Sequence, residues 1–231
     1  MSVVTGPNIV TNGLVMSFDP DNYRCYPGTG STWTDVSGRG HGSSLINSPT
    51  YVSSASSSYL SFNGSTSRGR FILGDNASDF YSSTLSLAGL ARLTTANYGD
   101  GWLFDLDYVG FRLWGGSNTP FMVRGPSASW ELSTSYSFTI NQWYYVCATM
   151  IDNASANNVN VYINGVLYST QSFGLKNIGP QAGIVDGALS SHYGGGTPMP
   201  FDVSCIQKYN RVLSADEVMQ NFNALRGRVG I

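Results

Sequence analysis

Hydrophobic and polar positions alternate with a period of two along much of this chain, most clearly between Gln142 and Thr170. In WYYVCATM, Trp143, Tyr145, Cys147 and Thr149 fall on one face of an extended chain, and Tyr144, Val146, Ala148 and Met150 on the other. Both faces suit burial. NVNVYI then sets Val159, Val161 and Ile163 against Asn158, Asn160 and Tyr162, the pattern of a strand with one wet face. Asn164 and Gly165 both tolerate positive φ, so they predict a tight hairpin into a third strand, VLYST. A three-strand meander results.

Similar patterning runs through the rest of the sequence. Leu14, Met16 and Phe18 predict a first strand with these three side chains pointing inward. A long loop rich in Gly, Ser and Asp follows, and YLSFNGSTSRGRFIL then reads as strand, turn at Asn63-Gly64, and strand. SSTLSLAGLARL is assigned to a strand because its surroundings are β. GWLFDLDYVGFRLWG gives two more strands, FMVRG another, and SWELSTSY with YSFTI a pair leading into the meander. Near the end, Val203, Cys205, Gln207 and Tyr209 face one way, and Ser204, Ile206 and Lys208 the other. One helix is expected. Ser214 with Glu217 three residues on has the spacing of a capping box, Asp216 complements the helix dipole, and Val218, Phe222 and Leu225 form an apolar stripe. Gly227 is expected to close it. Strands recurring about every ten residues between turn signals predict an all-β, antiparallel two-sheet β-sandwich (jelly roll) with one short C-terminal amphipathic helix. A single domain over residues 1–231 is expected, with 1–12 as an extended N-terminal arm.

Composition narrows the function. Of 231 residues, 42% are hydrophobic and only 11% charged, and the net charge of −2 offers no basic field for nucleic acid or an anionic membrane. The first residues lack the basic and apolar pattern of a secretory signal, and no stretch is apolar enough for a membrane span, so a protein folded in a reducing cytoplasm is expected. Cys25, Cys147 and Cys205 form no CxxC pair and read as buried thiols.

The ordered set SFNGS, QWYYVCATM, NVYINGVL and CIQKYNRVLSADEVMQNFNALRGRVGI resembles the laminin G-like, concanavalin A-like lectin/glucanase jelly roll. The N-terminal run, with its YPG turn and TWTDVSGRG loop, is similar to the way such domains begin in virion proteins of tailed bacteriophages. The resemblance spans about Gly6 to Ile231. It implies two antiparallel sheets, one concave, and in some members a calcium site or a glycan site. Relatives often carry acidic residues before the last strand where this chain has Ser204 and Cys205. Calcium would need six to eight converging oxygens. The candidates are Asp75, Asn76 and Asp79 in one loop, Asp105 and Asp107 on one strand face, and Asp19 with Asp21. Sugar binding needs aromatic faces, and Tyr23, Tyr26, Trp33, Trp102, Trp114, Trp130 and Tyr193 stand in or near expected loops, whereas Trp143 belongs to the core.

Catalysis is not expected. Glycosidases of this shape set paired carboxylates about the scissile bond, whereas the only glutamates here are Glu131 and Glu217, the latter engaged in the helix cap. His41 and His192 belong to no zinc-spaced group. Two roles remain. One is a structural or decoration component of a phage head or tail, packed against other virion proteins and its own copies; the other is a tail-associated adhesin recognising host cell-surface polysaccharide. The absence of heptads or a β-helical stem favours the first.

Overall fold

The computed structural model describes residues 7–54, 57–72, 79, 82–95, 100–105, 110–114, 121–124, 130–134, 136–151, 159–172, 186–190 and 198–231. For the strands within 100–134, and for 186–188, the description is of the backbone. The strands are β1 (Leu14–Phe18), β2 (Gly42–Ile46), β3 (Thr50–Ser53), β4 (Ser58–Asn63), β5 (Arg68–Ile72), β6 (Thr84–Leu93), β7 (Asp100–Asp105) and β8 (Gly110–Trp114). They continue with β9 (Phe121–Arg124), β10 (Trp130–Thr134), β11 (Trp143–Ile151), β12 (Val159–Ile163), β13 (Val166–Gln171), β14 (Asp186–Leu189) and β15 (Pro200–Tyr209), before helix α1 (Ala215–Leu225).

All pairings are antiparallel and build two sheets. Sheet I runs β13-β12-β11-β6-β15-β4-β3, and β1 lies beside the second half of β15. Sheet II runs β10-β9-β8-β7-β14-β5-β2. This is the two-sheet sandwich with a short C-terminal helix that the alternation predicts.

The meander forms the middle of sheet I. Tyr144, Val146, Ala148 and Met150 enter the core between the sheets with Val159, Val161 and Ile163, while Trp143, Tyr145 and Cys147 join a second apolar cluster on the outer face. That outer cluster is closed by Val218, Phe222 and Leu225 of α1. The middle of sheet I is therefore buried on both sides. Tyr162, expected on a wet face, is buried in the outer cluster. The hairpin at Asn164 (φ 51°) and Gly165 (φ 80°) has both turn residues at positive φ.

The expected alternation fails at two bulges. The β1–β15 register shifts between Leu14 and Met16, so Met16 and Phe18 enter the inner core while Leu14 packs on the outer cluster. A second shift between Val203 and Cys205 puts Val203 and Ile206 in the inner core and leaves Cys205 and Tyr209 outside. Residues 136–140, expected as a strand, form none, although Phe138 still packs in the core. β2 and β3 arise around the end of the long loop, where sequence patterning gave no strand.

The helix carries the predicted cap: the Ser214 hydroxyl accepts from the Glu217 N–H at 3.2 Å, and the Glu217 carboxylate accepts from the Ser214 N–H at 2.9 Å. Gly227 does not close it. The chain continues through a 3-10 turn, Arg226–Arg228, and the glycine at positive φ is Gly230. The described arm is fixed by the Asn221 side chain, which accepts from Val10 N–H at 2.7 Å and donates to the Tyr209 hydroxyl at 3.0 Å. Gln220 donates to the Asn8 carbonyl at 2.7 Å. No helix among the described residues is long and apolar enough to cross a membrane.

Candidate functional site

Among the described residues the outer face of sheet I is largely covered by α1 and the arm, and the outer face of sheet II carries the exposed Arg70. Its composition follows from register. Leu45, Phe71 and Leu189 are buried in the inner core and mark the inward rows of β2, β5 and β14. Directly paired residues share a face, and successive residues alternate. The row next to the inward one runs Ser44, Arg70, Ala188, Asp105 and Gly110 across five strands. It lies on the face opposite the core. Arg70 there is exposed.

The same reasoning extends along β7 to β10. On β8, Phe111 and Leu113 take the inward rows, which leaves Gly110, Arg112 and Trp114 in the outer rows. A bulge between Trp102 and Phe104 brings Trp102 opposite Arg112 and into an outer row. On β9, Val123 pairs with Phe111, so Met122 and Arg124 fall in the outer rows, and Trp130 of β10 pairs with Arg124. Three tryptophans, three arginines and Asp105 thus share one sheet face. Two cross-strand pairs, Trp102 with Arg112 and Trp130 with Arg124, set an aromatic residue opposite a cation. Trp102, Trp114 and Trp130 stand on β7, β8 and β10, in the segments GWLFDLDYVGFRLWG and SWELSTSY that the sequence reads as strands, near the loops that join them. The arginines Arg70, Arg112 and Arg124 were not singled out in the sequence. Their signal was present in Phe111-Arg112-Leu113-Trp114 and in Val123-Arg124, where charges alternate with core positions.

The other aromatic candidates separate. Trp33 is fully buried, with its ring centroid 5.1 Å from that of Phe18 and in a cluster with Phe71, so it cannot present a face to a sugar. The cause is local. Asp35 accepts from the N–H groups of Ser17 and Ser37, both at 2.9 Å, and of His41 at 3.3 Å, and so folds the long loop back under the sheets. Tyr26 is 4% exposed, with its ring against Tyr51 and its hydroxyl donating to the Gly30 carbonyl at 3.0 Å. Tyr23 is 79% exposed. Tyr193 lies outside the described residues, and Trp143 is in the core as expected.

Three calcium candidates, Asp19, Asp21 and Asp79, have described surroundings. The Asp79 carboxylate lies 3.3 Å from His41 Nε2 and 3.9 Å from Arg39 Nε, and its carbonyl oxygen accepts from Lys208 Nζ at 2.6 Å. Asp79 therefore stands beside nitrogen groups and not in a cluster of oxygens of the kind calcium takes. Asp19 is paired with Arg228 at 2.6 Å, and Asp21 Oδ1 accepts from Ser58 N–H at 3.0 Å. Asp105 ends β7, so it shares no described strand face with Asp107, which, with Asp75 and Asn76, lies outside the described residues. Among the described residues no group of three or more His, Cys, Asp or Glu is placed to hold a metal. The three cysteines are buried and unpaired, and burial pushes the Cys25 and Cys205 thiols up to about 12 and Cys147 higher still, so none is a nucleophile at neutral pH.

A sequence model described as the concanavalin A-like lectin/glucanases superfamily matches residues 76–219, more than half of the chain. Among solved structures, botulinum neurotoxin type C, from work on its entry into cells through two ganglioside molecules, superposes with a TM-score of 0.66 at 17% identity, over 94% of this chain and 52% of that one. The sialidase of Trypanosoma rangeli in complex with sialic acid gives a TM-score of 0.65 at 19% identity, over 94% of this chain and 33% of that one. The binding domain of botulinum neurotoxin DC in complex with SialylT gives 0.67 at 15%, over 93% and 52%. The chain thus spans about half of the neurotoxin chains and a third of the sialidase. At these identities the likeness is one of fold. No curated protein sequence matches the chain.

Proposed function

This chain belongs to the concanavalin A-like lectin/glucanases superfamily, and from that premise we propose that it is a non-catalytic glycan-binding module whose binding surface is the outer face of sheet II. The observation that carries the reading is the register that sets Trp102, Trp114 and Trp130 on one face with Arg70, Arg112, Arg124 and Asp105. Sugar rings offer apolar C–H faces to aromatic residues and hydroxyls to charged and amide groups. Arginine adds a fork that fits a sugar carboxylate. The fold neighbours include a ganglioside-dependent toxin and a sialidase holding sialic acid, which makes acidic glycans the first to try. Catalysis has little support, since Glu217 is spent on the helix cap and on Arg211, with Arg211 Nη2 2.6 Å from Glu217 Oε1.

The setting we propose is the surface of a bacteriophage particle, where the module acts as an adhesin for host cell-surface glycan. Its N-terminal motif order supports this. A second reading, a decoration or structural protein packed against its own copies, rests on a separate observation: β13 is the edge strand of sheet I and exposes Val166 (61%), Leu167 (49%) and Tyr168 (43%). Exposed edges of this kind are templates for strand pairing.

Two measurements separate the readings. Titration with a panel of neutral and acidic polysaccharides should give saturable binding by a monodisperse protein. No glycan response, together with oligomers that dissociate on Leu167→Lys, would favour the packed component. Gold-labelled antibody on purified particles should mark the tail; signal over the head would support decoration instead.

A further inference from the structure

A second surface, on the opposite side of the sandwich from sheet II, has the attributes of a small-molecule site. The arm, the end of α1 and the loop after β1 enclose a cavity of about 780 Å³ over the outer face of β1 and β15. That volume is in the range of small-ligand pockets. Leu14, Ser17, Cys205 and Gln207 from β1 and β15 line it, with Ile9 from the arm, Val36 from the loop and Asn223 and Ala224 from the helix.

Gln207 is only 2% exposed, and its side-chain oxygen Oε1 has no hydrogen-bond partner. A buried amide oxygen left without a donor keeps its desolvation cost uncompensated, so a group that supplies a donor there gains affinity. The charges at the rim are already matched: Arg228 Nη1 lies 2.6 Å from Asp19 Oδ2, and Arg228 Nε 3.9 Å from Asp21 Oδ2. A charged ligand would have to break that pair. No aromatic side chain lines the described wall, so a flat ring has no platform, while Ile9, Leu14, Val36 and Ala224 give short aliphatic contacts. Burial holds the Cys205 thiol protonated, so occupancy is non-covalent.

We propose that this cavity binds a small uncharged ligand carrying hydroxyl and amide donors beside a short aliphatic group, the chemistry of an N-acetylated sugar, with a donor on Gln207 Oε1. The proposal is independent of the sheet II reading, because the two surfaces share no residue.

N-acetylglucosamine is the probe, titrated into isotopically labelled full-length chain and followed by NMR. The Gln207 side-chain amide and the Ala224 amide should shift saturably. Gln207→Met keeps the volume, removes the unpartnered oxygen and should weaken binding roughly tenfold, the scale of one lost hydrogen bond. Ala224→Trp should fill the space and abolish binding in a chain that still unfolds cooperatively. Trp114→Ala should leave this titration unchanged, whatever it does to glycan binding at sheet II. Unmoved resonances at saturating sugar, or equal affinity in wild type and Gln207→Met, would overturn the proposal. So would tri-alanine shifting the same resonances while the sugar does not, since the groove would then be a peptide site.

Discussion

Lys208 shows what single residues contribute. It points into the inner core with no measurable exposure, its Nζ donating to the Asp79 carbonyl, and burial lowers its pKa from 10.5 to about 7. Above the folded pKa the unfolded state holds a proton that the folded state has released, so stability rises as pH increases from about 7 toward 10.5. Lys208→Met should raise stability at pH 7 and flatten that rise; chemical denaturation at pH 7 and pH 10 checks both. Asn164 and Gly165 act through the backbone. A Cβ on Gly165 would lie 3.0 Å from Met219 Sδ and from Phe222 Cδ1, and each non-glycine residue at positive φ costs on the order of 1 kcal/mol. Replacing both by alanine should therefore lower stability by roughly 2–3 kcal/mol and loosen α1 from the hairpin. An unchanged melting curve would contradict this. These turn residues were legible in the sequence because their chemistry is local. Trp33 was not, because its burial depends on Asp35 bonding to Ser17, eighteen residues away.

At the scale of elements, strands whose two faces differ in polarity, or whose both faces are apolar, could be read directly: β11, β12 and β15 stand where alternation put them, and β6 where its β surroundings did. Bulges were invisible. One extra residue at the β1 and β15 shifts, and in β7, reverses which side chains face the core, and period-two patterning carries no mark of it. That is why Leu14 and Val203 were assigned to the wrong faces. Helix α1 was legible from its cap. Ser214→Ala should cost about 1 kcal/mol, read as a lower unfolding midpoint. The hydrogen bonds from Arg211, aided by those from Ser214, hold the Glu217 carboxyl down at about 2. A depressed carboxylate contributes stability above its unfolded pKa and loses it as pH falls through the folded one, so this contribution should fade between about pH 4.5 and pH 2 and vanish in Glu217→Gln.

Across the described residues, the middle of sheet I is buried on both faces, and the register of sheet II gathers tryptophan, arginine and aspartate on its outer face. The alternation named the three tryptophans and the strands that carry them, but not the face they share. Only the pairing of six strands collects them with Arg70, Arg112 and Arg124, because cross-strand neighbours are distant in the chain. The charge balance offered no attraction for nucleic acid, but it carried no information on the face a ligand would use. The most direct test is an equilibrium titration of the glycan found in the panel against wild type, Trp102→Ala, Trp114→Ala and, as a control on sheet I, Val166→Ser. Loss of about tenfold or more with either tryptophan variant, at unchanged melting temperature and with Val166→Ser equal to wild type, is the result expected if sheet II binds sugar. Equal affinity in all four proteins would contradict that assignment.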